Sequence, residues 1–231
     1  MPTDPVVTAL RRYPVKAMGG ESLPRATLDA RGLTGDRWYA VVDGDGRFAT
    51  AKDSRRFRRR DEVFAYAATT GADGTVEVSR DGRTWRVGDT DLDAELSARF
   101  GDPVRVLPEE GTPHYDAAAV SLVGTATLAW CARELGVDAD PRRLRVNLLL
   151  ETDEPFVEES LPGRALDVGS VRLRVDERIE RCRTIDLAQD GVATTSRWLK
   201  ALGGSRDLCV GIYARVDRPG EIAVGDLVQA R

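Results

Sequence analysis

Short alternating apolar segments, cut every few residues by Gly and Asp, constrain this chain more than any other feature. Val6–Ala9, Ala26–Asp29, Trp38–Val42, Val63–Ala68, Thr75–Ser79, Trp85–Val87 and Val104–Leu107 each read as a short strand. The breaks between them, such as Asp43-Gly44-Asp45-Gly46, Gly71-Ala72-Asp73-Gly74 and Asp81-Gly82, are residues that tolerate positive φ. Closely spaced strands joined by hairpin turns point to a barrel or a sandwich. Two helices interrupt the pattern. Asp91–Phe100 carries Leu92, Leu96 and Phe100 at four-residue spacing and stops at Gly101. Thr125–Leu135 carries Leu128, Cys131 and Leu135 on one face and stops at Gly136.

Strands return in the second half. Val146–Leu150, apolar apart from Asn147, reads as a strand buried on both faces, and Leu166–Val168, Val171–Val175, Cys209–Val216 and Leu227–Ala230 follow. Thr194–Leu202 predicts one more helix, closed by Gly203-Gly204. The fold class that follows is mainly β with peripheral helices, α+β. There is no alternating βαβ pattern, no GxGxxG and no Walker loop, which excludes a nucleotide-binding α/β fold. Glu, Gly, Thr and Pro cluster at Pro108–Pro113 and suggest two domains, residues 1–108 and 109–231.

Composition narrows the function. With 42% hydrophobic residues in 231, the chain can bury a sizeable core. A net charge of −4 excludes charge-driven disorder and lacks the basic footprint of general nucleic-acid binding. Three cysteines, Cys131, Cys182 and Cys209, form no CxxC and suit a reducing, cytoplasmic compartment. One histidine, His114, excludes the usual His/Cys zinc sites, and three cysteines exclude a four-cysteine Fe–S cluster. No signal peptide is evident at the N-terminus, and no apolar run approaches the roughly 18 residues of a membrane span.

Arginines cluster at three places: Arg55–Arg60, Arg142–Arg145, and around Cys182. The first group reads as a solvated surface. Arg145 and Arg181–Arg183 sit beside apolar strands, where a guanidinium needs an anionic partner, from the protein or from a ligand. Positive charge around Cys182 favours its thiolate, which is a soft metal ligand or a nucleophile; the alternative is a buried structural thiol. On a strand both flanking arginines point to the opposite face, so they act on the sulfur only at a turn. Cys131 and Cys209 read as small core residues. His114 has no nucleophile paired with it in sequence and reads as structural.

Taken together, these residues resemble the MOSC family, the molybdenum cofactor sulfurase C-terminal domain proteins, in the subgroup with an N-terminal β-barrel domain. Tyr13-Pro14-Val15-Lys16 with Gly20-Glu21 is similar to that family's YPVKS…GE opening, and Gly32-Leu33-Thr34-Gly35-Asp36-Arg37-Trp38 to its GLxGDRxW segment. His114-Tyr115-Asp116 and Val120–Leu128 resemble the approach to its first MOSC helix. Arg143-Leu144-Arg145-Val146-Asn147-Leu148 resembles RFRPN, and Arg181-Cys182 its RC pair. Gly211-Ile212-Tyr213-Ala214 and Gly225-Asp226 resemble its closing strands. Ala17 stands where the family usually has Ser, and Val146 where it has Pro.

The resemblance implies a MOSC-type β-barrel fold and a molybdenum cofactor. By position, Cys182 would be the molybdenum ligand and catalytic residue. Lys16, Arg37, Arg145 and Arg181 would bind the anionic pterin dithiolene and its phosphate, and Thr127 and Asn147 would orient it. The implied activity, as in amidoxime-reducing relatives, is reduction of N-hydroxylated compounds. Electrons would come from a separate donor protein of ferredoxin or flavoprotein type. The chain leaves no room for the pyridoxal-phosphate desulfurase domain or the fused cluster domain of some relatives, and it lacks the membrane anchor of others. Two rival expectations stand beside this one. Cys182 could carry a persulfide in a sulfur-carrier or cofactor-handling protein, or the cavity could be a non-catalytic anion-binding module.

Overall fold

In a computed structural model, residues 4–194 and 197–231 are described. Four sheets account for the strands. The largest runs in the order β18 (Val228–Ala230), β14 (Ala165–Val168), β15 (Val171–Glu180), β16 (Cys209–Arg218), β12 (Val120–Gly124), β13 (Leu148–Glu151), β1 (Val6–Arg12), β2 (Glu21–Leu23). A second orders β11 (Val104–Pro108), β5 (Tyr39–Asp43), β6 (Phe48–Thr50) and β7 (Phe57–Arg59). A third orders β10 (Arg83–Arg86), β9 (Val76–Arg80) and β8 (Ala67–Thr70). The fourth joins β17 (Gly220–Ala223), β3 (Arg25–Asp29) and β4 (Gly32–Leu33). Helices α1 (Thr90–Phe100), α2 (Thr125–Leu135) and α3 (Trp198–Gly203) lie outside the sheets.

The two halves of the chain share sheets. β1 runs antiparallel to β13, with Leu10 opposite Leu148 and Val7 opposite Leu150, so the first strand completes the sheet built by the second half. β17 returns to pair with β3, placing Ile222 opposite Ala26. Val7, Leu10, Leu122, Leu148, Leu173 and Ile212 fill one core against the large sheet. Val15, Met18, Val63, Tyr66, Leu92 and Leu96 fill a second, under the smaller sheets. A third cluster, with Leu128, Cys131, Trp198 and Val210, holds α2 and α3.

Three expectations need correction. Val63–Ala68 is not one strand: Asp61–Ala65 is a 3-10 turn and β8 starts at Ala67. Val63 and Phe64 are consecutive and both buried, which a one-faced alternating strand cannot achieve. The fold also contains a βαβ unit, because β12, α2 and the parallel β13 follow one another. β12 is buried at all five positions, so its apolar run merges into the helix that follows and hides the boundary. The Arg55–Arg60 run is not a bare solvated face. It contains β7, Arg60 pairs with Asp102 at 2.7 Å, and Arg56 donates to the Tyr115 carbonyl at 3.1 Å. Of the helix expected over Thr194–Leu202, α3 provides Trp198 onward, while Thr195 and Ser196 lie outside the described residues.

Candidate functional site

A cavity of about 560 Å³ opens between the two halves. β1 ends at Arg12, and the turn through Tyr13-Pro14 delivers Lys16 and Ala17 to one wall; β15, the corner after it and β16 deliver Arg178, Glu180, Cys182, Cys209 and Tyr213 to another. The turn after the 3-10 segment Pro141–Leu144 supplies Arg145. Ala17, Arg37 and Arg145 all line the cavity, and all three hold left-handed backbone, at φ 68°, 54° and 53°. Non-glycine residues in that region store strain and persist where the surroundings over-determine them. Here the determinants are visible: Lys16 N–H donates to the Tyr39 carbonyl, Arg37 N–H to that of Tyr13, and Arg145 N–H to that of Arg142.

Seven Lys or Arg residues line the cavity against three Asp or Glu, so the net −4 of the chain conceals a positive interior. Lys16 is 5% exposed; its Nζ donates to the His114 carbonyl at 2.6 Å and to Asp116 Oδ1 at 2.5 Å. Burial pushes the Lys16 ammonium down to about 8, against the upward pull of Asp116. Lys52 Nζ stands 3.7 Å from the other oxygen of the same carboxylate. Desolvation works against the Asp116 charge, but Lys16 and Lys52 outweigh it and hold the carboxyl well below its usual range.

Arg37 pairs with buried Asp36, and this pairing lifts its pKa although burial opposes it. Arg145 has no carboxylate in direct contact among the described residues. Its Nη2 donates to the Met18 carbonyl at 2.7 Å and its Nη1 reaches Gln189 Oε1 at 3.4 Å. Burial, with the nearby charge of Arg37, pulls its pKa down. Both guanidinium groups lie against the Tyr13 ring, 5.0 Å from its centroid for Arg37 and 4.4 Å for Arg145.

Cys182 sits where β15 turns into the 3-10 segment Arg183–Asp186. The corner separates it from its neighbours. Arg181 turns inward, donating from Nε to the Val210 carbonyl at 2.8 Å and from Nη1 to that of Leu144 at 2.7 Å. Its Nη2 is buried without a hydrogen-bond partner. Arg183 turns the other way and grips Asp61 with two hydrogen bonds, 2.7 and 2.5 Å long, latching the halves together beside the cavity. The Cys182 sulfur is half-buried and meets the Thr184 hydroxyl at 3.3 Å. Gly211, at φ 77°, closes the wall beneath: a Cβ there would stand 2.6 Å from the Leu122 carbonyl oxygen and 3.1 Å from Arg181 Nη2.

The structure thus gathers Lys16, Arg37, Arg145, Asn147, Arg181 and Cys182 around one cavity. Asn147 also serves the frame: its Oδ1 accepts from the Ser121 N–H and hydroxyl, and its Nδ2 donates to the Arg11 carbonyl. Thr127 is a correction. It is fully buried in α2, away from the cavity lining, and its hydroxyl accepts the Phe156 N–H at 2.7 Å. Cys209 is another: it is half-buried and lines the cavity, while Cys131 is a core residue. His114 is structural, packed edge-on against Phe48 with Nδ1 donating to the Arg37 carbonyl. Sequence reasoning gave Lys52, Asp116 and Tyr213 no role at the site, although Asp116 and Tyr213 stand in the motifs His114-Tyr115-Asp116 and Gly211-Ile212-Tyr213-Ala214.

Fold and site together define a β-rich protein with a cationic, thiol-bearing cavity between its halves. The chain belongs to the MOSC family. The MOSC domain matches residues 68–229 and the MOSC N-terminal β-barrel domain residues 4–118. Among solved structures, the YuaD protein from Bacillus subtilis is similar in fold, with a TM-score of 0.51 at 13% identity, over 100% of this chain and 97% of that one. YiiM from Escherichia coli aligns with a TM-score of 0.45 at 13% identity, over 100% of this chain and 70% of that one. No curated protein matches the sequence. No helix among the described residues is long and apolar enough to cross a membrane.

Proposed function

We propose that this protein binds the molybdenum cofactor and acts as an oxidoreductase that reduces N-hydroxylated compounds, with electrons from a separate donor protein. The observation that carries the reading is the convergence of the Cys182 thiol with Lys16, Arg37 and Arg145 on one cavity of about 560 Å³. The residues fit such a group. The volume lies within the roughly 300–1,000 Å³ typical of small-molecule sites. The cationic excess suits a phosphate and a dithiolene, and Arg181 Nη2 is a buried donor without a partner.

In this reading Cys182 supplies the protein's thiolate, a soft ligand suited to a metal already held by sulfur. Lys16, Arg37 and Arg145 hold the negative charge, the two arginines from fixed left-handed turns. When bound, the cofactor supplies two-electron redox chemistry, and the chain supplies charge, orientation and a shaped mouth. The test is molybdenum content per chain in protein purified from a host that makes the cofactor. Molybdenum is expected in the parent and lost from Cys182→Ser. Metal-free parent protein that also fails to take up cofactor on reconstitution would overturn the reading.

The half-buried Cys182 sulfur also favours a second reading, a persulfide carrier. Incubation with a desulfurase would then add one sulfur atom to the intact mass, and Cys182→Ser would abolish the gain.

A further inference from the structure

We propose that Cys182 and Cys209 form an oxidisable thiol pair, which gives the cavity a reversible disulfide site. Both line the same cavity, and both are half-buried. The ladder between β15 and β16 fixes their relation. Glu180 is opposite Cys209, and Arg181 N–H donates to the Leu208 carbonyl at 2.8 Å. β15 ends at Glu180, and Cys182 follows two residues on in extended backbone that continues the strand, which puts it on the side that Glu180 and Cys209 occupy. Cys182 and Cys209 are therefore diagonal cross-strand neighbours.

Diagonal neighbours have Cα atoms about 7–8 Å apart, and a disulfide usually spans about 4.4–6.8 Å. The backbone therefore has to close for the bond to form. Cys182 lies at the corner beyond Glu180, the last paired residue of β15, so the movement falls outside the ladder. The ladder also loses its regular register between Arg178 and Glu180, so this end is already freed from strict pairing. Neither sulfur is committed elsewhere: the Cys182 contact is the Thr184 hydroxyl, and Cys209 is a free thiol. Cys131, fully buried among Leu128, Trp198 and Val210, is an internal control that the same oxidant does not reach.

The chemistry balances with a peroxide as oxidant. The Cys182 sulfur attacks one peroxide oxygen, the O–O bond breaks, and a sulfenic acid and one water result. The Cys209 sulfur then attacks the Cys182 sulfur, the S–O bond breaks, and the hydroxyl leaves as a second water with the Cys209 proton. Two thiols lose two electrons and two protons in all, and the peroxide is reduced to two waters. A small dithiol reverses the change by exchange. A Cys182 sulfur bound to molybdenum could not attack peroxide, so the pair is a property of the cofactor-free protein, made in a host that lacks the cofactor, and its failure there and that of the cofactor reading are separate results.

The experiment treats the full chain, purified under reducing conditions, with stoichiometric hydrogen peroxide at low protein concentration, followed by alkylation and peptide mapping. The expected result is an intact mass lower by two hydrogen atoms. The Cys182 and Cys209 peptides should be joined, Cys131 alkylated, and the mass restored by dithiothreitol. In Cys209→Ser and Cys209→Ala, Cys182 should instead accumulate as sulfenic acid trapped by dimedone, then as sulfinic acid. Unvaried protein that yields sulfinic Cys182 beside an alkylated Cys209, or only disulfides between chains, would overturn the proposal. That arm needs no substitution, so no folding defect obscures it.

Discussion

Arg37 donates from Nη2 to the backbone carbonyl of Arg145, 3.1 Å away, while the side chains of both flank one tyrosine ring. Two like charges are thus held close by a carbonyl, and each lies against the same π system. Tyr13 is fully buried and its hydroxyl has no hydrogen-bond partner, so the ring is what the position requires. Desolvated cation–π contacts are worth about 2 kcal/mol each. Tyr13→Phe should change stability by less than about 1 kcal/mol, since it removes only an unpaired hydroxyl. Tyr13→Leu should destabilise by about 3 kcal/mol or more, through lost ring volume and the loss of both cation–π contacts. Denaturant unfolding of the two variants checks the contrast; equal losses would remove the role assigned to the ring.

Lys16 gives anion binding a pH dependence. Its ammonium is charged below about 8 and lost above it, while Arg37, raised by Asp36, stays cationic and Asp116 stays anionic. Affinity for sulfate, which does not titrate here, should fall at least about threefold between pH 7 and pH 9 as one charge leaves the cavity. Lys16→Arg should flatten the profile. The effect on folding has the opposite sense. Because the Lys16 pKa is lowered from 10.5, the unfolded chain binds more protons between about 8 and 10.5, and this group adds stability as pH rises through that window.

Asp116 occupies the two lysines that an incoming anion needs. Its side chain is 44% exposed on the loop between β11 and β12, so a ligand can displace it. Asp116→Asn should bind sulfate about three- to tenfold more tightly, because the competing charge is gone while the lysines remain. Calorimetry at pH 6 checks this with Lys16 still protonated. Unchanged or weaker binding would show that Asp116 orders the lysines instead of competing for them.

Thr127 separates frame from site. Thr127→Val leaves the half-buried Phe156 N–H without its acceptor and should destabilise the fold by about 1–3 kcal/mol. Sulfate affinity should stay unchanged. A drop in affinity without a drop in melting temperature would return Thr127 to the cavity.

Much of this was legible because local rules govern it. α2 spans Thr125–Leu135 as the spacing of Leu128, Cys131 and Leu135 with Gly136 required, and most strands follow the alternation of their side chains. What escaped depended on distant pairing. Cys209 looked like core because it opens an apolar strand, yet Ile212 and Ala214 face the core while Cys209 and Tyr213 line the cavity. That parity is set by the partner strand and by the shifts in register, which no local window contains. Thr127 was misplaced for a related reason. Its hydroxyl satisfies a loop N–H 29 residues away, and nothing in the local sequence reports that debt. The arginines flanking Cys182 illustrate the third case: the turn into the 3-10 segment sends one inward to carbonyls and the other across to Asp61.

The place of the first strand has a consequence during synthesis. Leu10 meets Leu148, so β1 leaves the ribosome with its neighbour on one side 138 residues behind. At about 5–20 residues per second, its bonding edge and apolar face wait roughly 7–28 s for that neighbour. Until then β1 and β2 are the only neighbouring strands of the large sheet that have been made, and holdase chaperones that recognise apolar strands should engage the chain at Val7 and Leu10 until translation passes Glu151.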